Sequence, residues 1–236
     1  YGWGLAAAED LPEGALVASV PYECMLSVDW AFRTELAVFL REAREGGDPR
    51  LAIIVDEERR RWDLASLGQI FSDQGMVLSL LIMRELRLGR HSALASWISH
   101  LPARTAQNSL VMWREEELLW LNGTLAGAYT RQAHGFLGAF HKRFGPILEE
   151  VSFLAGPPMS LEELTFAFAL GESRMFTGSP FGGEENELVV APLLDLANHC
   201  HEGGAPRLVL ENTANKSPRH RGLWEGVEDR RFVMRA

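Results

Sequence analysis

Glu187–Cys200, E-L-V-V-A-P-L-L-D-L-A-N-H-C, joins a short apolar run to a cluster of polar side chains. The apolar run, residues 188–194, contains Pro192, which has no backbone N–H, so a strand here must lie at a sheet edge or end at that point. The polar side chains that follow are Asp195, Asn198, His199 and His201. The pattern predicts a strand that delivers polar groups to a site; a buried strand ending in an ordinary Asn/His turn is the alternative.

The first 21 residues, Y-G-W-G-L-A-A-A-E-D-L-P-E-G-A-L-V-A-S-V-P, mix glycine and apolar residues around a turn at 11–14. Residues 15–20 predict a strand, and we interpret the whole segment as a β-hairpin. Glycines on both sides of Trp3 give a backbone that a ligand can approach closely. A plain hairpin with glycines at its bends is the alternative.

Between residues 29 and 160 the hydrophobic periodicity becomes helical. Residues 30–44 are amphipathic, and residues 72–89 predict a core helix with a Ser or Asp cap and a glycine stop. The charged run 56–63, D-E-E-R-R-R-W-D, predicts a solvated helix face. One further helix carries three aromatic residues at helical spacing, which favours a core over a ligand site. They are Phe136, Phe140 and Phe144.

A capping box, Ser160 with Glu163, predicts the start of another helix, over 161–170. That helix runs into G-E-S-R at 171–174. Arg174 at a helix end is more often a surface charge than a ligand-binding group, so its role depends on the rest of the sequence.

The length, composition, net charge and cysteine count of the chain exclude several classes of function. The chain has 236 residues, 47% hydrophobic and 23% charged, as is ordinary for a globular protein. A net charge of −9 argues against nucleic-acid binding across the whole surface, because phosphate neutralisation needs clustered Lys and Arg; a local basic patch around 219–221 and 230–235 stays open. Cys24 and Cys200 do not make a disulfide framework or a Cys-rich zinc site, and the most apolar window, 76–83, is too short to cross a bilayer. We expect a monomer with no nucleic-acid or membrane partner.

Taken in order, residues 1–21, G-E-S-R-M-F at 171–176 and Glu187–Cys200 resemble a SET-domain protein methyltransferase. Within that family they resemble the branch typified by the Rubisco large-subunit lysine methyltransferase. The resemblance implies an α+β fold, a β-rich SET core with a knot-like C-terminal part, interrupted by a long, mostly helical insertion.

The same resemblance divides the chain into three parts. Residues 1–28 would be the N-terminal SET strands, residues 29–160 the helical insertion, and residues 161–236 the C-terminal SET part. It also implies a lysine-bearing, non-histone protein substrate.

S-adenosylmethionine is the cofactor that the resemblance implies. Arg174 stands where the family has an arginine whose planar fork approaches the carboxylate of the cofactor's methionine part. Asn198 and His199 stand where the family's residues lie against the methionine and adenine parts, and Asp195 is expected to orient that turn. The cofactor-binding residues implied are Tyr1, Gly2, Trp3, Ser173, Arg174, Asp195, Asn198 and His199.

The catalytic residue is unknown. Methyl transfer to lysine needs in-line alignment and a neutral amine, although free lysine has a pKa of about 10.4. The family's catalytic tyrosine follows the Asn-His motif, whereas the tyrosines here are Tyr1, Tyr22 and Tyr129. We therefore expect a fragment that lacks the C-terminal end of SET and the substrate-binding domain, and that is inactive by itself.

Three alternatives stay open. Asp195, His199 and His201 could bind a metal, but two histidines two residues apart in a turn are loosely spaced, and we expect no metal. A non-catalytic SET-like protein-binding module is the second, and methylation of histidine rather than lysine is the third. The number of methyl groups added and the localisation are not predicted; chloroplast, cytoplasm and nucleus are all possible.

Overall fold

The computed structural model describes residues 5–37, 50–62, 69–154, 156–178, 187–197, 207–212 and 230–235. The chain divides into two compact units. One contains Tyr1–Ser27 and Arg174–Ala236, and the other contains Val28–Ser173. Helices and a small antiparallel sheet give the α+β class that the sequence predicted, but the boundaries of the helical insertion and the knot-like part stay predictions.

The first unit contains two antiparallel sheets. The larger has the order β1-β5-β4, and the smaller pairs β2 with β3. The strands are β1 Leu16–Pro21, β2 Met175–Gly178, β3 Glu187–Val190, β4 Arg207–Asn212 and β5 Arg230–Arg235.

The predicted N-terminal hairpin is wrong for the described part of this segment. The turn exists, because Ala15 N donates to Pro12 O at 3.0 Å and Gly14 has φ +80°, which suits glycine. However, residues 5–15 form no strand, and β1 pairs with β5 instead, with Val20 opposite Phe232. A strand takes the partner that buries its apolar face, and that partner is more than 200 residues away in the chain.

The smaller sheet ends before Pro192, which is one of the two outcomes that the proline allowed. β3 stops at Val190, and a single helical turn at Leu194–Leu196 follows. An isolated bridge adds residue 26 beside β3, with Leu26 N donating to Val190 O at 3.0 Å. One hydrophobic cluster of this unit draws on both ends of the chain, and its buried members are Val20, Met25, Val189, Ala191, Leu194 and Met234.

The second unit is helical. The α-helices among its described residues are α1 Val28–Ala31, α2 Arg50–Arg61, α3 Asp73–Leu88, α4 Ala95–Ile98, α5 Glu115–Leu118, α6 Leu125–Glu150 and α7 Leu161–Arg174, whose last residue belongs to the first unit. Residues 75–83 of α3 are all buried, as expected of a core helix. The aromatic stripe of α6 is confirmed as core, because Phe136, Phe140 and Phe144 are all 0% exposed.

The predicted helix caps are present. Ser72 Oγ accepts a hydrogen bond from Gly75 N at 3.2 Å, so Ser72 is the cap of α3. Ser160 and Glu163 form the reciprocal capping box, with N–H to side-chain distances of 3.0 and 3.1 Å. α7 then continues to Arg174, four residues beyond the predicted end.

Two predictions in this unit need correction. The amphipathic segment 30–44 does not begin as one helix: α1 ends at Ala31, and the backbone N and the Oγ1 of Thr34 both donate to the Ala31 carbonyl, at 3.0 and 2.7 Å. Residues 38–49 lie outside the described part. The charged run 56–63 is not wholly solvated, because Glu58 is 2% exposed and binds Arg143 at 3.1 Å.

Within the described ranges, none of the helices combines the length and the apolar character needed to span a membrane.

Candidate functional site

The candidate site is centred on an ion pair between Arg174 and Asp195. Arg174 is the last residue of α7, and β2 begins at the next residue. Because β2 and β3 are antiparallel with Met175 opposite Val190, the start of β2 lies beside the end of β3. The turn after β3 therefore brings Asp195 to Arg174, although the two residues are 21 positions apart.

One nitrogen of Arg174 serves both acceptors of this pair. Nη1 donates to Asp195 Oδ2 at 3.0 Å and to the Asp195 carbonyl at 3.2 Å. The Asp195 side chain is fully buried, and that of Arg174 is 16% exposed. Arg174 Nε is also buried, and it has no hydrogen-bond partner among the described residues. A buried N–H donor without an acceptor is costly, so a ligand that supplied an oxygen here would be stabilised.

The backbone that presents Asp195 is strained. Leu193 has φ +78° and ψ −48°, a region that a branched residue adopts only when the surrounding structure requires it. Asp195 N donates to Ala191 O at 3.1 Å, and Leu196 N donates to Leu193 O at 3.2 Å. These bonds wind the chain into a tight turn directly after Pro192.

The N-terminal segment reaches the same turn. Leu5 N donates to Leu196 O at 3.3 Å, next in sequence to Asp195. Tyr1, Gly2 and Trp3 lie outside the described residues, so their predicted role stays a prediction. The bond from Leu5 nevertheless brings the backbone that follows them to the Asp195 turn.

The remaining predicted residues divide into two groups. Asn198 and His199 lie outside the described residues and stay predictions, although Asp195 lies on the turn that leads to them. Ser173 is exposed, and its hydroxyl lies 3.1 Å from both the Ala169 and the Leu170 carbonyls. Its donor is therefore used within α7, while its oxygen can still accept.

Sequence reasoning missed Glu172. Its carboxylate accepts hydrogen bonds from Ser109 Oγ at 3.0 Å and from the Tyr129 hydroxyl. Burial of the Tyr129 ring, and then its bond to Glu172, raise the Tyr129 pKa well above its usual value near 10. These partners are 63 and 43 residues away in sequence, so no local pattern could have indicated them.

A second missed contact lies in the first unit. Tyr22 OH donates to Glu187 Oε1 at 2.5 Å and joins the turn after β1 to the first residue of β3. The sequence offered no signal for it, because both residues are common on surfaces.

The metal alternative is not tested by the structure. In the ranges that it covers, no three His, Cys, Asp or Glu side chains are placed to hold a metal ion. His199 and His201 lie outside those ranges. Cys24 is exposed and not in a disulfide.

The geometry can be compared with known proteins. No protein-family model matches the chain, and no curated protein matches its sequence. A solved structure does match, the SET domain of LSMT in a crystal structure bound to lysine and AdoHcy, with a TM-score of 0.67 over 99% of this chain. The fold is SET-like.

The structural similarity to this SET domain covers 99% of the present chain, but the sequence identity is 20%. The chain spans 43% of the length of the LSMT chain that it matches. The predicted SET-like α+β fold is therefore confirmed, whereas membership of the Rubisco methyltransferase branch stays a prediction.

Proposed function

We propose that this protein is an S-adenosylmethionine-dependent protein methyltransferase that acts on lysine. The observation that carries the proposal is the fold similarity over 99% of the chain to a SET domain that binds lysine and AdoHcy. AdoHcy is what remains of S-adenosylmethionine after its methyl group has been transferred, so the neighbour holds both halves of such a reaction.

Arg174 supports this proposal by its chemistry. A guanidinium has five N–H donors in a planar fork that matches a carboxylate. Asp195 engages only Nη1, and the buried Nε has no acceptor among the described residues. The donor set therefore fits the carboxylate of the cofactor's methionine part, with Asp195 holding the fork in orientation.

Two further parts of the proposed cofactor site connect to the Asp195 turn. Asn198 and His199 follow it, and the backbone after Trp3 reaches it through Leu5. An Asn amide both donates and accepts, which suits the polar atoms of an amino-acid or adenine group. Tyr1, Gly2 and Ser173 complete the proposed set.

S-adenosylmethionine supplies an activated methyl group on a sulfonium. The chain must then align an amine with that group, keep water out, and favour the neutral amine by desolvation or by a nearby base. We extend the proposal to a non-histone substrate of the Rubisco methyltransferase-like branch, on the motif resemblance alone.

The test is calorimetric titration of the purified chain with S-adenosylhomocysteine. We expect binding that Arg174→Lys weakens about tenfold or more, because a point charge cannot replace the planar fork. Arg131→Lys, at an exposed arginine of α6, is the matched control and should leave the affinity unchanged. A folded wild-type chain that does not bind, or an Arg174→Lys variant that binds equally well, would contradict the proposed site.

The acceptor is identified separately. The protein is incubated with methyl-labelled S-adenosylmethionine and a mixture of proteins, and the labelled protein is hydrolysed to amino acids. Methyllysine supports the proposal. Methylhistidine indicates the histidine alternative, and a folded chain that binds no cofactor favours the non-catalytic module.

A further inference from the structure

Three large apolar side chains are exposed to solvent in the segment that runs from the end of α5 to the first residue of α6. Leu119 is 65% exposed, Trp120 is 88% exposed and Leu125 is 91% exposed. We call these three residues the apolar tip. Single exposed apolar residues are normal on a surface, but a tryptophan and two leucines within residues 119–125 are a local concentration of exposed apolar side chains, which is typical of an interaction site.

The backbone under the apolar tip is held by several hydrogen bonds. Thr124 caps α6: its Oγ1 accepts from Gly127 N at 3.0 Å and donates to Leu121 O at 2.7 Å. Asn122 Oδ1 accepts from Arg131 Nη1 at 3.3 Å. A Cβ on Gly127 would lie 2.3 Å from Leu121 O, so the turn also packs closely on the helix.

The hydrogen-bonded backbone of the apolar tip affects the affinity with which it can bind a partner. A pre-ordered backbone loses little conformational entropy when it meets a partner, and more of the contact energy then appears as affinity. Tryptophan is enriched among the residues that dominate binding energy at interfaces. The apolar tip is therefore arranged as a fixed anchor.

The size of the apolar tip argues against a second copy of this chain as the occupant. A buried tryptophan contributes roughly 150–250 Å². A stable protein–protein interface needs about 800 Å² from each partner. Three side chains fall short of that area, and they match the few anchors of a short peptide segment.

The charged residues near the apolar tip indicate which residues the partner segment should contain. Glu115, Glu116 and Glu117 precede the apolar tip, separated from it by the buried Leu118, and Arg114 is paired to Glu117 at 3.5 Å. Arg131, bound to Asn122, is the other fixed cation at the turn, and His134 lies 3.9 Å from Glu115. Within residues 114–134, three carboxylates stand against two guanidinium groups and one imidazole, which leaves an acidic excess in this segment, on a chain whose net charge is −9 with His neutral.

We propose that the apolar tip docks a short segment of a partner protein in which leucine-like or aromatic anchors lie next to lysine or arginine. Two copies of this chain would instead bring acidic groups together, and an anionic lipid surface would be repelled for the same reason. The docking surface is additional to the proposed methyl transfer and does not depend on it.

The test begins with a displayed library of short random peptides, selected on the intact chain. The enriched peptides are synthesised, labelled and titrated by fluorescence anisotropy against four proteins. These are the wild type, Trp120→Ser/Leu125→Ser, Glu115→Gln/Glu116→Gln and Ile53→Ser. Ile53, an exposed apolar residue on α2, is the matched control for loss of apolar surface.

We expect selected peptides to combine apolar and basic residues and to lose about tenfold or more in affinity for the Trp120→Ser/Leu125→Ser variant. The Glu115→Gln/Glu116→Gln variant should lose affinity by a smaller factor, and that factor should be larger at low salt. The Ile53→Ser variant should bind with the wild-type affinity. Because all these positions are exposed, the variants should melt like the wild type.

Four results would overturn the proposal. They are a selection that enriches no peptide, enriched peptides without a basic bias, equal affinity for the tip variant, and Trp120-dependent dimers or vesicle binding in sedimentation. Loss of cofactor binding would not affect any of these measurements, so failure of the proposed function and failure of this proposal are distinguishable.

Discussion

Arg174 binds both the side chain and the backbone of Asp195 through a single nitrogen, Nη1, at 3.0 and 3.2 Å. The pair joins the last residue of a helix to the turn that follows β3. The Asp195 carboxylate is fully buried, and the guanidinium gives it a paired opposite charge.

This pair should be strongly coupled. Asp195→Ala leaves the Arg174 charge without its carboxylate in a mostly buried place, and we expect a loss of about 3–5 kcal/mol in the free energy of unfolding. Arg174→Ala should cost a similar amount, and the double variant less than the two losses added together. Urea denaturation of the four proteins measures this, and losses that add to within about 0.5 kcal/mol would show that the pair is not coupled.

Two helical glycines should respond in opposite directions to alanine. A Cβ on Gly75, in the first turn of α3, would lie 2.1 Å from the Ile70 carbonyl oxygen, so Gly75→Ala must displace backbone and should destabilise. Gly138, in α6, has open space around it, and Gly138→Ala should stabilise by up to about 1 kcal/mol through helix propensity. Thermal denaturation of both variants measures the difference, and two changes of the same sign would contradict the local geometry.

Glu163 predicts a pH dependence of stability. Hydrogen bonds from the Arg87 guanidinium lower the pKa of Glu163 from 4.5 to about 2. A carboxylate with a lowered folded-state pKa stabilises the protein above its unfolded pKa, and that contribution is lost as pH falls. Glu163→Gln should therefore be less stable than the wild type at neutral pH, and the difference should shrink between about pH 4.5 and about pH 2.

The effect at Glu163 should be modest, because its side chain is 34% exposed and solvent screens the pair. The measurement is urea denaturation at a series of pH values, with Glu116→Gln as the exposed control. A difference between wild type and Glu163→Gln that stays constant through the acid range would contradict the assigned pKa.

Tyr129 should resist ionisation. Burial and the bond to Glu172 raise its pKa well above 10, so its contribution to stability is full below about pH 10 and declines at higher pH. The ultraviolet titration of wild type minus that of Tyr129→Phe should show no ionisation step near pH 10. A full single-tyrosine step at that pH, in protein that is still folded by circular dichroism, would contradict the hydrogen bond to Glu172.

Several features followed from short stretches of sequence. The Ser160–Glu163 box, the Ser72 cap and the end of β3 before Pro192 each depend on residues within a few positions of one another. The burial of the α6 aromatic stripe also followed, because residues at helical spacing share one face. Such predictions succeed because the deciding interactions are local.

Glu58 shows where local reasoning fails. It belongs to a run of charged residues, and the pattern predicted a solvated face, yet it is buried against Arg143 and Trp62. The predicted hairpin failed for the same reason, since β1 pairs with a strand at the other end of the chain. Neither partner is indicated by the residues next to it.

By itself, the sequence determined the helix starts capped by Ser72 and Ser160, the turn at 11–14, the end of β3 before Pro192 and the family resemblance of the three motifs. Only the tertiary structure decided that β1 joins β5, that Arg174 meets Asp195, and that Glu172 binds Ser109 and Tyr129. The physical reason is the distance in sequence between the interacting residues. Capping and turn formation involve residues that lie within one helical turn of each other. Strand pairing and burial of charge depend on which distant segment removes the most apolar surface from water and satisfies each buried polar group.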